Sequence, residues 1–341
     1  MKKGGSLMAV VFSVVSLISD AAFAAESYYE GKTIRTIVGS TAGGAYDLYA
    51  RLISRHIGKH ILGKPSGMVE NMTGAGGLIA ANYMSKVAKP DGLTIGLLNG
   101  GLFWNQALGQ PGVEFDARKF IFLGAPTKEE GVFYFTKRSG ITNMEKLMAS
   151  KTPVKMGGLA PGINTDNSIR MAKAALGLPI QLVSGYKGGA DIRLAMQQGE
   201  IAGSSASWMA VRSVWSKVLV SGDGVVVLQV VPKPLPDLPK VPLAISYAKT
   251  DEARKLIEVG IYAASIFSWP FVLPPDTPKE QVQVLAKAFT DTLKDEELLA
   301  EAEQAKLDIK PISASDLEKT VASIFKLDNT MLSKLTDIFF K

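Results

Sequence analysis

The sequence has no cysteine and only two histidines, and its one strongly apolar run, Leu7 to Ile18, is too short to argue for a stable membrane span. Without cysteine there can be no disulfide, no thiol nucleophile and no thiol to carry a lipid, so packing and hydrogen bonds must supply the stability. The two histidines, His56 and His60, fall one turn apart on the same expected helix with no adjacent carboxylate, a pattern that reads as surface or packing histidines rather than a metal site. A Gly-x-Ser-x-Gly elbow and a complete phosphate or dinucleotide glycine signature are also missing. An α/β hydrolase or nucleotide enzyme built on Ser204, Ser205, an Asp and a His is therefore the weaker alternative, and no catalytic residue, metal or cofactor is expected. Charge is nearly balanced at a net +6 and is dispersed, which gives no nucleic-acid surface.

The chain begins with an export pattern. Lys2 and Lys3 precede the apolar run, and Ala22-Phe23-Ala24 supplies the small-x-small pattern that a signal peptidase reads. Cleavage after Ala24 removes Lys2, Lys3 and Asp20, leaving +5 on a mature chain expected in the periplasm. That chain is long enough for two α/β domains.

Thr41-Ala42-Gly43-Gly44-Ala45-Tyr46-Asp47 is the most informative stretch. It follows the apolar strand pattern Ile34–Gly39 and opens a helix from Asp47 to about Ile61, so permissive backbone and free N–H groups fall at the carboxyl end of a strand. Thr73-Gly74-Ala75-Gly76-Gly77 follows a second strand, Met68–Asn71, and Asn99-Gly100-Gly101 follows a third, Leu93–Leu98. Further along, Val154–Gly158 leads into a loop ending at Thr165 and a helix from Ser168 to about Leu176. Ile180–Val183 leads into Gly185-Tyr186-Lys187-Gly188-Gly189-Ala190-Asp191 and a helix from Ile192. Ser204-Ser205-Ala206-Ser207-Trp208 reads as a polar loop, Val225–Val230 as a buried strand, and Pro232–Pro242, with five prolines, as an irregular connection. Ser313 to Glu318 reads as the capped start of the last helix. Comparable glycine loops in both halves predict a cleft that captures a small anion.

The ordered series Ile34–Val38, Ala42–Asp47, Val69-Glu70-Asn71, Gly74–Gly77, Pro90-Asp91-Gly92, Gly185–Ala190, Gly199-Glu200, Pro236–Pro239 and Pro274–Pro278 resembles the TctC, or Bug, family of solute receptors across almost the whole mature chain. The resemblance implies a two-domain class II periplasmic binding fold with an interdomain ligand cleft. Residues 25–124 and 222–341 would form the first α/β domain and residues 125–221 the second. It also implies a monomeric receptor that delivers an organic carboxylate, a di- or tricarboxylate or an aromatic acid, to the membrane subunits of a tripartite tricarboxylate transporter. Delivery of a solute-dependent signal to a sensory partner is the alternative use of the same fold.

Carried over residue by residue, Ala42, Gly43, Gly44, Ala45, Tyr46 and Asp47 would form the first-domain ligand loop, with Thr73, Gly74, Ala75, Asn99 and Gly100 nearby. Gly158, Thr165, Tyr186, Lys187, Ala190, Asp191 and Ser205 would complete the pocket from the second domain. Asp47 and Asp191 suit helix starts better than contact with a like-charged carboxylate, and Lys187 would add positive potential. Trp208 reads as a packing residue. The chain departs from the family pattern at Ser40-Thr41, Tyr46, Thr165-Asp166 and Gly203, changes that keep the backbone device and alter the cavity walls.

Overall fold

The protein is described by a computed structural model covering residues 28–340; the expected leader, Lys2 and Lys3 included, lies outside these described residues. Two mixed sheets organise the chain. In the first, β1 (Thr33–Val38) pairs parallel with both β2 (Ser66–Asn71) and β3 (Thr94–Leu97). β10 (Phe271–Leu273) joins antiparallel between β3 and β4 (Ile121–Ala125), and β11 (Ile312–Ser313) closes the edge, giving the order β11-β4-β10-β3-β1-β2. The second sheet runs β7 (Ile180–Val183), β6 (Val154–Gly157), β8 (Gly203–Ser207), β5 (Gly131–Thr136) and β9 (Gly224–Val230).

The chain passes from the first sheet to the second between β4 and β5 and returns between β9 and β10. This relocates one segment. The expected return to the first domain at residue 222 would have placed β9 there, yet β9 pairs antiparallel with β5 along its length, from Thr136 opposite Gly224 to Gly131 opposite Val230. The proline-rich connection remains tied to the second sheet through the Gln229 side chain, whose Nε2 donates to the carbonyls of Leu238 (3.0 Å) and Val241 (2.5 Å) and whose Oε1 accepts from Leu235 N (2.8 Å). A cluster of apolar residues is regular in spacing whichever sheet it joins; the pairing partner is a long-range choice.

The segment read as a polar loop at Ser204–Ser207 is the central strand β8, between β6 and β5. Ser204, Ser205 and Ser207 are buried there, and Ser204 Oγ donates to the Gly157 carbonyl at 2.7 Å while Ser207 Oγ accepts from Ala210 N at 3.3 Å. Helices also begin earlier than periodicity suggests. α1 spans Ala45–His56, α4 spans Asn164–Leu176 and α5 spans Gly189–Gln198, so each takes in part of the preceding loop. Between them lie α2 (Leu78–Lys86) and α3 (Gly101–Ala107); α6 (Trp208–Val214) follows β8. Near the carboxyl terminus, α7 (Lys279–Thr292) and α9 (Ala314–Ile324) pack on β4 of the first sheet and α8 (Glu296–Gln304) packs on α1, with the expected cap in place as Ser313 Oγ accepts from Asp316 N at 3.1 Å. α9 is not last; α10 (Asn329–Phe340) follows, burying Leu335 and Phe339.

His56 and His60 sit where α1 meets α8. His56 Nε2 bonds Glu301 Oε2 at 2.8 Å and His60 Nε2 bonds Asp295 Oδ2 at 3.0 Å. His56, Asp295 and Glu297 bring ligand atoms within 4.8 Å of one another, and the Lys59 ammonium occupies Glu297. These contacts tie α1 to α8 on the side of the first sheet bearing those helices, away from Ser204 and Ser205, whose hydroxyls have no histidine partner among the described residues.

Candidate ligand-binding cleft

A cavity of about 390 Å³ opens between the two sheets, within the range of small-molecule sites. Its first wall is the loop and first turn of α1, from Thr41 through Tyr46, with Asn99 beside it. Gly43 adopts φ +80°, a left-handed turn that glycine enters without strain, and Gly44 precedes the helix with no side chain to cap it. The α1 first-turn amides therefore have no capping side chain and carry the positive end of the helix dipole.

Asp47 holds this loop from behind. Its Oδ2 accepts from Gly43 N at 2.8 Å and from Arg51 Nε at 2.9 Å, and its Oδ1 accepts from Asn71 Nδ2 at 3.0 Å. Desolvation pushes its carboxyl upward, but the bonds from Arg51, Gly43 and Asn71 outweigh that and hold it below the ordinary carboxylate range. Asp47 is 2% exposed and does not line the cavity. It organises the loop that does.

The opposite wall comes from the second sheet. Thr165 and Asn164 lie in the first turn of α4, Gly188, Gly189 and Ala190 open α5, and Ser205 rises from β8. Gly188, in extended backbone, also precedes its helix without a side-chain cap. The α4 start, after Ile163, has no side-chain cap either, so three uncapped helix starts, α1 from the first lobe and α4 and α5 from the second, line the same space. Apolar side chains fill the remainder, with Tyr46 and Trp269 rings 4.1 Å apart, and Ile163, Met209 and Leu307 contributing aliphatic surface.

The structure brings together Ala42, Gly43, Gly44, Ala45, Tyr46, Asn99, Thr165, Ala190 and Ser205 of the expected site. The others fall outside the cavity lining. Thr73, Gly74 and Ala75 lie beyond the rim, where neighbouring Gly76 meets Ile163 across the lobes: a Cβ on Gly76 would stand 2.8 Å from the Ile163 Cδ1. Gly100 serves packing instead, because a Cβ there would lie 1.7 Å from the Phe267 carbonyl oxygen. Gly158 packs on Asp166, whose Oδ1 would lie 2.4 Å from an added Cβ. Tyr186 turns away and donates to Glu200 Oε1 at 2.6 Å. Lys187 and Asp191 are exposed, outside the cavity. Trp208 packs as expected, its Nε1 donating to Asp237 Oδ2 at 2.9 Å.

Among the cavity residues outside the expected set are Glu129, Arg193 and Trp269. Glu129 lies on the first crossover. Its Oε2 accepts from Asn164 Nδ2 at 2.8 Å, and the same Nδ2 reaches Ser268 Oγ at 2.7 Å, so the first crossover, the second lobe and the return crossover meet at one polar knot. Burial pushes the Glu129 carboxyl above its ordinary range, with the bonds from Asn164 and Ser268 opposing part of that rise. Tyr46 anchors the same knot by donating to the Ser268 carbonyl at 2.7 Å. Burial, followed by the nearby Glu129 charge, keeps its phenol protonated well above the usual range. An acidic residue on a crossover and an arginine in mid-helix carry no local pattern that marks a site.

Residues 50–336 match the Tripartite tricarboxylate transporter family receptor. The chain belongs to this family. Its fold agrees: the periplasmic binding protein BugD superposes with a TM-score of 0.71 at 21% identity, over 91% of this chain and 98% of that one. MatC from Rhodopseudomonas palustris with bound malate gives 0.70 at 20% identity, over 91% and 99%. R. palustris Rpa4515 with adipate gives 0.71 at 21%, over 90% and 97%. A curated relative, the UPF0065 protein in gbd 5'region of Cupriavidus necator, is 36% identical over 88 residues, which span 26% of this chain and 26% of that protein. The protein thus has the two-domain periplasmic binding fold, and its cavity lies between the two sheets of that fold. Among the described residues no helix is long and apolar enough to cross a membrane.

Proposed function

We propose that the protein is a periplasmic receptor that captures an organic carboxylate between its two lobes and presents it to the membrane subunits of a tripartite transporter. The observation that carries this reading is the convergence of three uncapped helix starts, α1 from one lobe and α4 and α5 from the other, on one cavity of about 390 Å³. Backbone N–H groups can satisfy a carboxylate's lone pairs without bringing a second full charge out of water. Tyr46, Trp269, Ile163 and Met209 would then receive an apolar body, which favours an aromatic acid or a methylene-rich diacid over a short hydroxylated one. Of the acids bound by two proteins of similar fold, adipate is such a methylene-rich diacid, whereas malate is a short hydroxylated one; what they share is the carboxylate chemistry.

The ligand-contacting set on this reading is Ala42 to Tyr46, Asn99, Thr165, Gly188 to Ala190 and Ser205. The chemistry is reversible capture, acting as a monomer, with no covalent step. Thermal unfolding of the purified protein against mono-, di- and tricarboxylates, aromatic acids and uncharged controls tests it. A saturable rise of melting temperature confined to acids is expected, about 2.7 kcal/mol of added stability at a hundredfold excess over Kd. A rise with sugars or amines and none with acids would overturn the carboxylate reading.

A further inference from the structure

Arg193 is the one Lys or Arg side chain lining the cavity among the described residues. It lies in the second turn of α5 and folds back toward the start of that helix: a Cβ placed on Gly189 would be 3.5 Å from its Nη1. Its charge also reaches the buried Tyr134 hydroxyl on β5, another cavity residue. Within the described residues the guanidinium has no hydrogen-bond or ion-pair partner, whereas Arg35, Arg51, Arg55, Arg118 and Arg212 each hold a carboxylate. The cavity's acidic side chain, Glu129, is engaged by Asn164 at the crossover.

We infer that Arg193 is a specificity-determining residue that binds the second acid group of a dianionic ligand, so that the solute is a dicarboxylate with an apolar body spanning the two lobes. This rests on the carboxylate-receptor reading above and adds to it the ligand's second charge and the side chain that reads it. One carboxylate lies on the α1 amides of the first lobe. The other pairs with Arg193 on the second, where the planar guanidinium offers two parallel donors. The asymmetry is physical: one end is held by neutral amides, which accept any carboxylate, and the other by a full charge that rewards only a second anion. A monoacid leaves Arg193 without its partner, and an apolar tail beside the guanidinium strips water from it with no return. A Cβ at 189 would meet Nη1 at an ordinary contact distance of 3.5 Å, which places the guanidinium beside the first turn of α5.

Isothermal titration of the full mature protein with two acid pairs, adipate against hexanoate and terephthalate against benzoate, tests the assignment. Each pair differs only in the second carboxylate. For the pair whose body fits, wild type should bind the diacid at least about tenfold more tightly, the worth of one charge-assisted bond set. Arg193→Gln should shrink that ratio by about tenfold or more, while Arg193→Lys, which keeps the charge and loses the fork, should retain part of it. Unliganded melting temperatures of the variants show that they fold. A wild-type ratio near one, or a ratio in Arg193→Gln unchanged within about threefold, would overturn the role of Arg193 and leave the receptor reading standing. Failure of wild type to bind any of the four acids would overturn this inference; the receptor reading falls with it only if the wider acid series also leaves the melting temperature unchanged.

Discussion

Glu129 shows how a single side chain can be tied to both lobes and to pH. Its carboxyl, raised chiefly by burial, binds a proton more tightly in the folded protein than in the unfolded chain. Such a group adds stability that is fully present below the unfolded carboxyl value, about pH 4.3, and is lost as pH rises through the higher folded value. Relative to Glu129→Gln, which cannot titrate, wild type should gain stability as pH falls from about 8 toward about 4.5. Urea unfolding of both proteins across that range measures the gap; a pH-independent gap would mean that Glu129 is equally ionised folded and unfolded. Asp47 works in the opposite direction, because its bonds to Gly43, Arg51 and Asn71 favour the charged form. Its helix-start role was readable from its place after a glycine loop. Glu129 was not, since only folding brings Asn164 and Ser268 to it.

At the scale of elements, the glycines divide into those that serve the cavity and those that serve packing. The stretch Asn99-Gly100-Gly101 looks like a ligand loop in sequence, and Asn99 does line the cavity. Gly100 instead allows α3 to approach the return crossover, where the Phe267 carbonyl sits within 1.7 Å of a prospective Cβ. Gly100→Ala should therefore destabilise the protein by about 3 kcal/mol or prevent folding. Gly43→Ala meets no neighbouring atom and should pay only for its φ of +80°, about 1 kcal/mol. Chemical denaturation of the two variants separates these costs. The strand–glycine–helix grammar was legible because it is local. The small serines of β8 were misread as a loop because polar composition signals exposure, and only the flanking strands β5 and β6 bury them.

For the whole molecule, the two crossovers between sheets are the places where one lobe can turn against the other. Closure on a ligand that touches α1 on one side and α5 on the other should shorten the protein's mean dimension. Small-angle scattering with and without a saturating acid identified by titration measures this: a smaller radius of gyration is expected in the bound protein, and an unchanged one would indicate a cavity already closed. The same crossovers explain the misplaced boundary. A strand of the type Val225–Val230 is equally apolar in either lobe, and its pairing with β5 is decided by contacts between residues far apart in the chain, such as Gly131 and Val230.

The sequence by itself determined the α/β class, the order of strand, glycine loop and helix, and the backbone loop from Ala42 to Tyr46 that lines the cavity, because these are written in short-range spacing, and it carried the family through an ordered series of motifs along the chain. Only the tertiary structure decided that β9 belongs to the second sheet, that Thr73, Gly100 and Tyr186 stand apart from the cavity, and that Glu129, Arg193 and Trp269 enter it. The reason is that a cleft is made by chain segments distant in sequence. Which side chains face it depends on how two sheets are placed against each other, and no local period records that.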